Sequence, residues 1–329
     1  MDDFLFIFDA IFPIVLVILL GYFLRRIRLL NENFVEVGNK LVFKVLLPIY
    51  LALNIYRINS FAEIDGWFIL YTTIAIFVLF AIGLLIVIFS IKERNRRGVV
   101  LQAIFRSNNS IIGIPLALAL GSGQAVAQVA ILSAIAIPVF NILAVVSLSI
   151  FTNEKFKITK VLLDIVKNPL VIGIAVGLVI IGIRSLIGSQ STYWIAEHLT
   201  FLYSATDMVG ALTTGFSLIV LGAGFRFTSI QIYSKELTIG VIGRLILAPV
   251  LVIGVFLLLA KANILDGSSA KVVALIPLFA SPVAVSSAIM AKEMNNDEVL
   301  ANSLVFMTSI LSIITIFVLC FVLRVYNFI

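Results

Sequence analysis

Arg106, Asn108 and Asn109 stand together in RSNNSIIGIP, residues 106–115, within a run (97–121) that is otherwise apolar. A guanidinium presents a planar fork of donors that fits a carboxylate, and neighbouring amides add both donors and acceptors. Gly113 and Pro115 follow. Proline has no amide hydrogen and clashes with the preceding turn, so a helix passes it only by kinking or breaking. A second mark of this kind, ALIPLFASPVAVSSAIMAK at 274–292, holds Pro277, Ser281 and Pro282, with Ser286 and Ser287 close by, so that each half of the 329-residue chain contains one. In lipid such a break survives only where protein or a wet cavity takes up the freed backbone groups. Amino ends of half-helices then attract anions, and carboxyl ends attract cations. Asn108, Asn109, Gly113, Pro115, Ser281 and Pro282 are therefore expected beside a bound solute. The plainer alternative is that the prolines only bend packed helices and the amides only hold them together.

Other polar residues in apolar runs are less specific. Arg106 lies nine residues past Arg97, roughly 13 Å along a helix. It either meets a carboxylate in a cavity or snorkels back to the surface. Arg244 is either an anion-attracting group or a structural partner, with Asp207 as the candidate counter-charge. Asp207 itself reads as a cap, a buried ion pair or a proton relay, and Lys44 is equally open. Asn141 is a candidate substrate ligand, and Asn302 and Thr308 are candidates for ion coupling; interhelical hydrogen bonding would explain all three as well. The run GALTTGFSLIVLGAG at 210–224 reads as close helix packing, within one chain or between two.

With 62% hydrophobic and 12% charged residues, against about 25% charged in an ordinary soluble domain, the chain reads as an all-α polytopic membrane protein. Its net charge of +6 sits in short basic clusters between apolar runs, which argues for membrane orientation and against nucleic acid. One cysteine, Cys320, permits no intrachain disulfide, and one histidine, His198, gives no support to a metal site. The acidic start, MDD, lacks a basic leader, so the first apolar run is expected to be retained. A serine elbow, HExxH, CxxC, a phosphate-binding glycine loop and a two-metal acidic cluster are all missing from the sequence, so an enzyme is not expected. No cofactor is expected, and coupling to Na+ or H+ stays open. Concentrative uptake would separate a carrier from a passive channel.

Ten runs are long enough to cross about 30 Å of hydrocarbon. They fall near 4–24, 37–56, 67–91, 97–121, 125–151, 169–187, 201–225, 237–259, 270–291 and 299–326. Fifteen Lys and Arg fall in connections or at span ends on one side of this frame, five on the other, and three, Lys44, Arg106 and Arg244, deeper within spans. That bias places both termini outside. Ten spans divide into five plus five, residues 1–151 and 168–329, joined by a cytoplasmic linker at 152–167; because five is odd, the second half starts on the opposite face and the repeat is inverted.

In this frame Asn108-Asn109, GIP at 113–115, ASP at 280–282 and KEMNND at 292–297 resemble the auxin efflux carrier family. That family includes plant PIN-type carriers and prokaryotic permeases for malate, malonate and related acids. The resemblance covers essentially the whole chain. It implies an inverted 5+5 repeat with broken, crossing helices 4 and 9, a bile-acid-sodium-symporter-like and NhaA-like fold. It further implies a scaffold from 1–66 and 168–230 that also forms a homodimer face, and a mobile transport domain from 67–151 and 235–329. Asn109, Pro115 and Pro282 would lie at a carboxylate-binding site. The short linker lacks the long loop of many plant members and points to a prokaryotic-type permease in the plasma membrane. The expected function is secondary active transport or uniport of organic anions, such as malate, malonate or auxin-like acids, by an elevator movement. The alternative is a passive channel, or a transporter-like sensor or receptor for a small solute.

Overall fold

Inside hydrocarbon every backbone amide and carbonyl must be paired within the segment or by its neighbours, which leaves uncharged apolar runs little choice but helix. A computed structural model of the chain describes residues 2–56, 65–109, 113–120, 123–151, 167, 169–186, 198–224 and 233–329. Among these residues the fold is helical, with one isolated β-bridge and no strands. The helices are α1 (Asp2–Arg26), α2 (Glu32–Leu41), α3 (Leu47–Tyr56), α4 (Gly66–Ser90), α5 (Arg94–Phe105), α6 (Ile114–Leu120) and α7 (Gly123–Ser149). They continue as α8 (Pro169–Leu186), α9 (Thr200–Ala223), α10 (Ser234–Ile242), α11 (Ala248–Lys261), α12 (Ser269–Ala280), α13 (Ser286–Glu293) and α14 (Glu298–Val325). Two π-helical turns, Val42–Leu46 and Gly243–Leu247, join α2 to α3 and α10 to α11 without interruption.

Among the described residues six helices are long and apolar enough to cross a membrane: Phe4–Arg26, Gly66–Ser90, Gln124–Ser149, Thr200–Ala223, Ser234–Lys261 and Glu298–Val325. Their starts follow from local chemistry. Asp65 accepts from the Trp67 and Phe68 amides at 2.9 and 3.2 Å, and Asp297 accepts from Leu300 at 3.0 Å, so each begins its helix with orphan donors satisfied. Asn31 does the same for α2, which begins at Glu32, five residues before the expected start of its span. The expected runs at 97–121 and 270–291 each hold two helices, and the backbone turns extended after the first helix of each, at Arg106 and at Ser281. Nearly all of the 152–167 linker, and most of the 188–200 connection, lie outside the described residues.

The helices pack in two groups. In one, α3 lies along α8, α1 along α9, and α9 also touches α2 and α3; in the other, α7 meets α4, α5, α6 and α12, while α14 meets α5, α10 and α13. The groups touch where α1 meets α6 and α14, where α3 meets α7 and where α7 meets α8. Small residues set the closest approaches. A Cβ on Gly222 would lie 1.9 Å from the Ile18 carbonyl oxygen, and one on Gly21 2.2 Å from that of Ile219, so α1 and α9 touch backbone to backbone. Of the two packing roles open to the 210–224 run, the Gly222 contact is therefore one within the chain. Large apolar side chains such as Phe23, Phe77, Val179 and Leu212 face outward, as a lipid-facing surface requires.

Candidate substrate site at two paired helix breaks

Helix α5 stops at Phe105, where Arg106 turns to extended backbone (φ −91°, ψ 121°), and α12 stops at Ala280, where Ser281 does the same (φ −63°, ψ 154°). The two extended stretches lie side by side. Ser107 and Val283 form an antiparallel bridge, and the Asn108 amide donates to the Pro282 carbonyl at 2.8 Å, so each break supplies partners for groups the other has freed. Pro115 does not make the first break. It is the second residue of α6 and follows π-helical backbone at Gly113, whereas α5 has already ended at Phe105. Pro282 does lie in its break, and Pro277 stands within α12. Gly113 is needed for proximity: a Cβ there would lie 2.5 Å from Asn109 Oδ1 and 2.9 Å from Pro277 Cβ.

Arg106 is 5% exposed. Its Nη1 donates to the Met290 sulfur at 2.8 Å, and its Nη2 donates to Asn141 Oδ1 and Ser286 Oγ, both at 2.9 Å. Among the described residues no carboxylate comes within ion-pairing distance of it. Ser286 is moreover the first residue of α13, so the guanidinium sits at the positive end of a helix, where a cation is ordinarily disfavoured. A buried charge this poorly compensated calls for an anion.

Arg244 is fully buried, and of the two roles the sequence left open its contacts are those of a structural partner, though not of the counter-charge suggested for it. It does not pair with Asp207. Its Nε donates to the Ser281 carbonyl at 2.7 Å, Nη2 to Leu278 at 2.8 Å, and Nη1 to Phe105 at 3.1 Å and Ile104 at 3.4 Å. These are the last carbonyls of α5 and α12, which have no amides ahead of them to bond. The carbonyls form a tight, directional cage, so the side chain faces backbone and not open cavity. The π-helical turn carrying Arg244 lets Gly243 press against Ile104, where a Cβ would lie 2.7 Å from the Ile104 side chain.

The remaining candidates divide by location. Asn109 Nδ2 donates to Ser133 Oγ at 2.6 Å while its Oδ1 has no hydrogen-bond partner. Ser107 Oγ, Asn108 Nδ2, Ser281 Oγ and Ser287 Oγ are likewise buried and unpartnered, which gathers five unused polar atoms around the paired breaks. Buried polar atoms are ordinarily bonded, and such a cluster is the kind of lining a polar solute needs. Thr308 accepts from the Val283 amide at 3.1 Å and so holds the second break in shape. Asn302 donates to the Glu298 carbonyl at 3.1 Å and faces a cleft of about 590 Å³, between α2 and α9 on one side and α13 and α14 on the other. The cleft is lined by Glu32, Asn39, Val285 and Glu298 among others, and reaches the residue before Ser286. Asp207 lies on an exposed side of α9 and lines neither cleft nor breaks. Met290 and Ser133 carried no sequence signal, since a thioether and a serine in an apolar run look like packing.

Each broken helix starts from an ionic anchor. Arg96, near the start of α5, bonds Glu236 Oε1 at 3.1 Å and Asp297 Oδ2 at 3.3 Å and lies 4.8 Å from the Tyr233 ring centre. Lys271, near the start of α12, bonds Asp65 Oδ2 at 2.5 Å and Asp266 Oδ2 at 2.8 Å. Ten residues separate each cation from its break, or about 15 Å of helix, so the two approaches together span about 30 Å.

The chain matches the family model described as membrane transport protein over residues 6–320. No curated protein sequence matches it.

Proposed function

The chain belongs to the auxin efflux carrier family of membrane transport proteins, and from that membership we propose that it carries a small organic anion across the plasma membrane, binding it at the paired breaks. The observation that carries the reading is Arg106: a buried guanidinium at the positive end of α13, held by an amide, a hydroxyl and a thioether and by no carboxylate. A substrate carboxylate supplies the missing charge. The unused atoms of Asn108, Asn109, Ser107, Ser281 and Ser287 supply bonds to the rest of the molecule.

Transport then proceeds by alternating access. Ten spans in an inverted five-plus-five arrangement put the breaks near the bilayer midplane, which agrees with the approach of about 15 Å from each ionic anchor. The scaffold is 1–66 with 168–230, and the moving part 67–151 with 235–329; the division follows the two packing groups of helices. The scaffold also offers a homodimer face. With both termini outside, the cleft by Glu32 and Glu298 opens to the cytoplasm and the site faces inward. The short connection between halves favours a permease for malate, malonate or a related acid over a carrier of auxin. Chemistry on the solute is not part of the cycle.

Uptake by the purified protein in sealed liposomes tests this, using malate, malonate, succinate and indole-3-acetate with sodium and proton gradients imposed separately. Saturable uptake of one acid is the expected result. No uptake of any of them would remove the organic-anion reading.

A further inference from the structure

Arg244 carries a guanidinium into the fully buried interior. It is at 0% exposure, and among the described residues no acidic side chain bonds it. What surrounds it instead is the backbone: carbonyls of Ile104 and Phe105 from the end of α5, and of Leu278 and Ser281 from the end of α12. Each helix carboxyl end carries roughly half a negative charge. Two such ends meeting at one point make a site of about one negative charge, lined by carbonyl oxygens. In broken-helix transporters, unwound carbonyls and half-helix carboxyl ends are what bind a coupling cation.

We propose that Arg244 is the resident cation of this crossover: a positioning residue whose tethered guanidinium occupies the carbonyl cage in which a free monovalent cation would otherwise bind. Two consequences follow. The crossover needs no sodium ion to hold its two carboxyl ends together. And because Arg244 cancels those ends, the charge of Arg106 is left without compensation, so the neighbouring site selects an anion. Planarity matters as much as charge. Nε, Nη1 and Nη2 each reach a different carbonyl or pair of carbonyls, a pattern an ammonium group on a flexible stem cannot reproduce.

The test uses the full-length protein in detergent and in liposomes. Thermal melting of the wild type is compared in sodium chloride and in choline chloride at equal ionic strength, and the same is done for Arg244→Ala with millimolar guanidinium as a third condition. The expected result is a wild type indifferent to sodium, and an Arg244→Ala protein that melts lower and regains part of the loss with guanidinium or sodium but not with choline. Uptake by Arg244→Ala should fall at least about ten-fold, as the loss of several charge-assisted bonds implies, and recover in part with guanidinium. Should the alanine protein not survive purification, Arg244→Lys and Arg244→Gln carry the same comparison: the charged variant stays indifferent to sodium, and the neutral one becomes sodium-stabilised. Sodium stabilisation of the wild type, or a neutral variant that no cation stabilises, would overturn the proposal. The uptake arm rests on the organic-anion reading, whereas melting needs no substrate, so failure of the two ideas can be told apart.

Discussion

Arg106 and Arg244 are the same residue type, both buried near the same breaks, yet their surroundings assign them opposite tasks. Arg244 meets carbonyls that need a cation; Arg106 meets a helix end that repels one. The difference makes a prediction at Arg106 that a purely structural arginine would not obey. Replacing it with glutamine removes an uncompensated buried charge while leaving an amide to bond Asn141 and Ser286. Arg106→Gln should therefore melt no lower than the wild type, while on the proposed organic-anion reading its apparent affinity for the acid falls by about ten- to hundred-fold, the worth of a charge-assisted bond of about 1.5–3 kcal/mol. Melting curves and concentration-dependent uptake on one preparation check both halves. A variant that lost stability but kept its affinity would return Arg106 to a structural role.

Among the elements, the breaks depend on close approach, and two glycines make that measurable. A methyl at Gly113 would collide with Asn109 Oδ1 at 2.5 Å and Pro277 Cβ at 2.9 Å, pushing one broken helix off the other. Gly113→Ala should cost about 1–3 kcal/mol of stability and weaken substrate affinity as well, because Asn109 must move. Gly222 lies at a different contact. A side chain there meets the Ile18 carbonyl oxygen at 1.9 Å, in the α1–α9 pair and away from the breaks. Gly222→Val should lower the melting temperature more than Gly113→Ala does, yet leave substrate affinity unchanged in the folded fraction. Equal losses of affinity in the two variants would contradict the separation of packing contact from binding site.

At the scale of the whole molecule, the two ionic anchors hold the outer ends of the broken helices to their neighbours. Burial pushes the Asp65 carboxyl up, but bonds from Lys271 and from the Phe68 and Trp67 amides outweigh it and hold its pKa below the usual carboxylate value. The Lys271 hydrogen bond draws Asp266 down too. A carboxylate whose pKa is lower when folded contributes stability above its unfolded pKa and loses it as the pH falls through the folded one. Melting temperature should thus be level near neutrality and drop below about pH 4. Asp65→Asn should start lower at neutral pH and fall less steeply in acid. An unchanged acid slope in that variant would show that the anchor adds nothing to stability. The Lys271–Asp266 pair, whose carboxylate is exposed, contributes little singly, so the effect belongs to the cluster.

Much of this was legible in the sequence. Hydrophobic runs and the spacing of basic clusters determined that the chain is a helical membrane protein, because hydrocarbon leaves the backbone few alternatives and charges must stay out of it. The two marked segments, RSNNSIIGIP and ALIPLFASPVAVSS, were readable as interruptions, since polar residues beside glycine and proline have no ordinary place in a lipid-facing helix. Where the first helix ends was not: Pro115 drew attention to itself, but the backbone leaves the helix at Arg106, and the proline stands inside the next helix. Nor could the sequence say that Ser107 would pair with Val283, that Arg244 would reach the carbonyls of two helices, or that Asp207 would stay outside the cleft. A local run records which groups need partners, through propensity and polarity acting over a few residues. Which partners they find depends on contacts between residues 107 and 283 or 244 and 105, and distances of that kind exist only once the chain has packed.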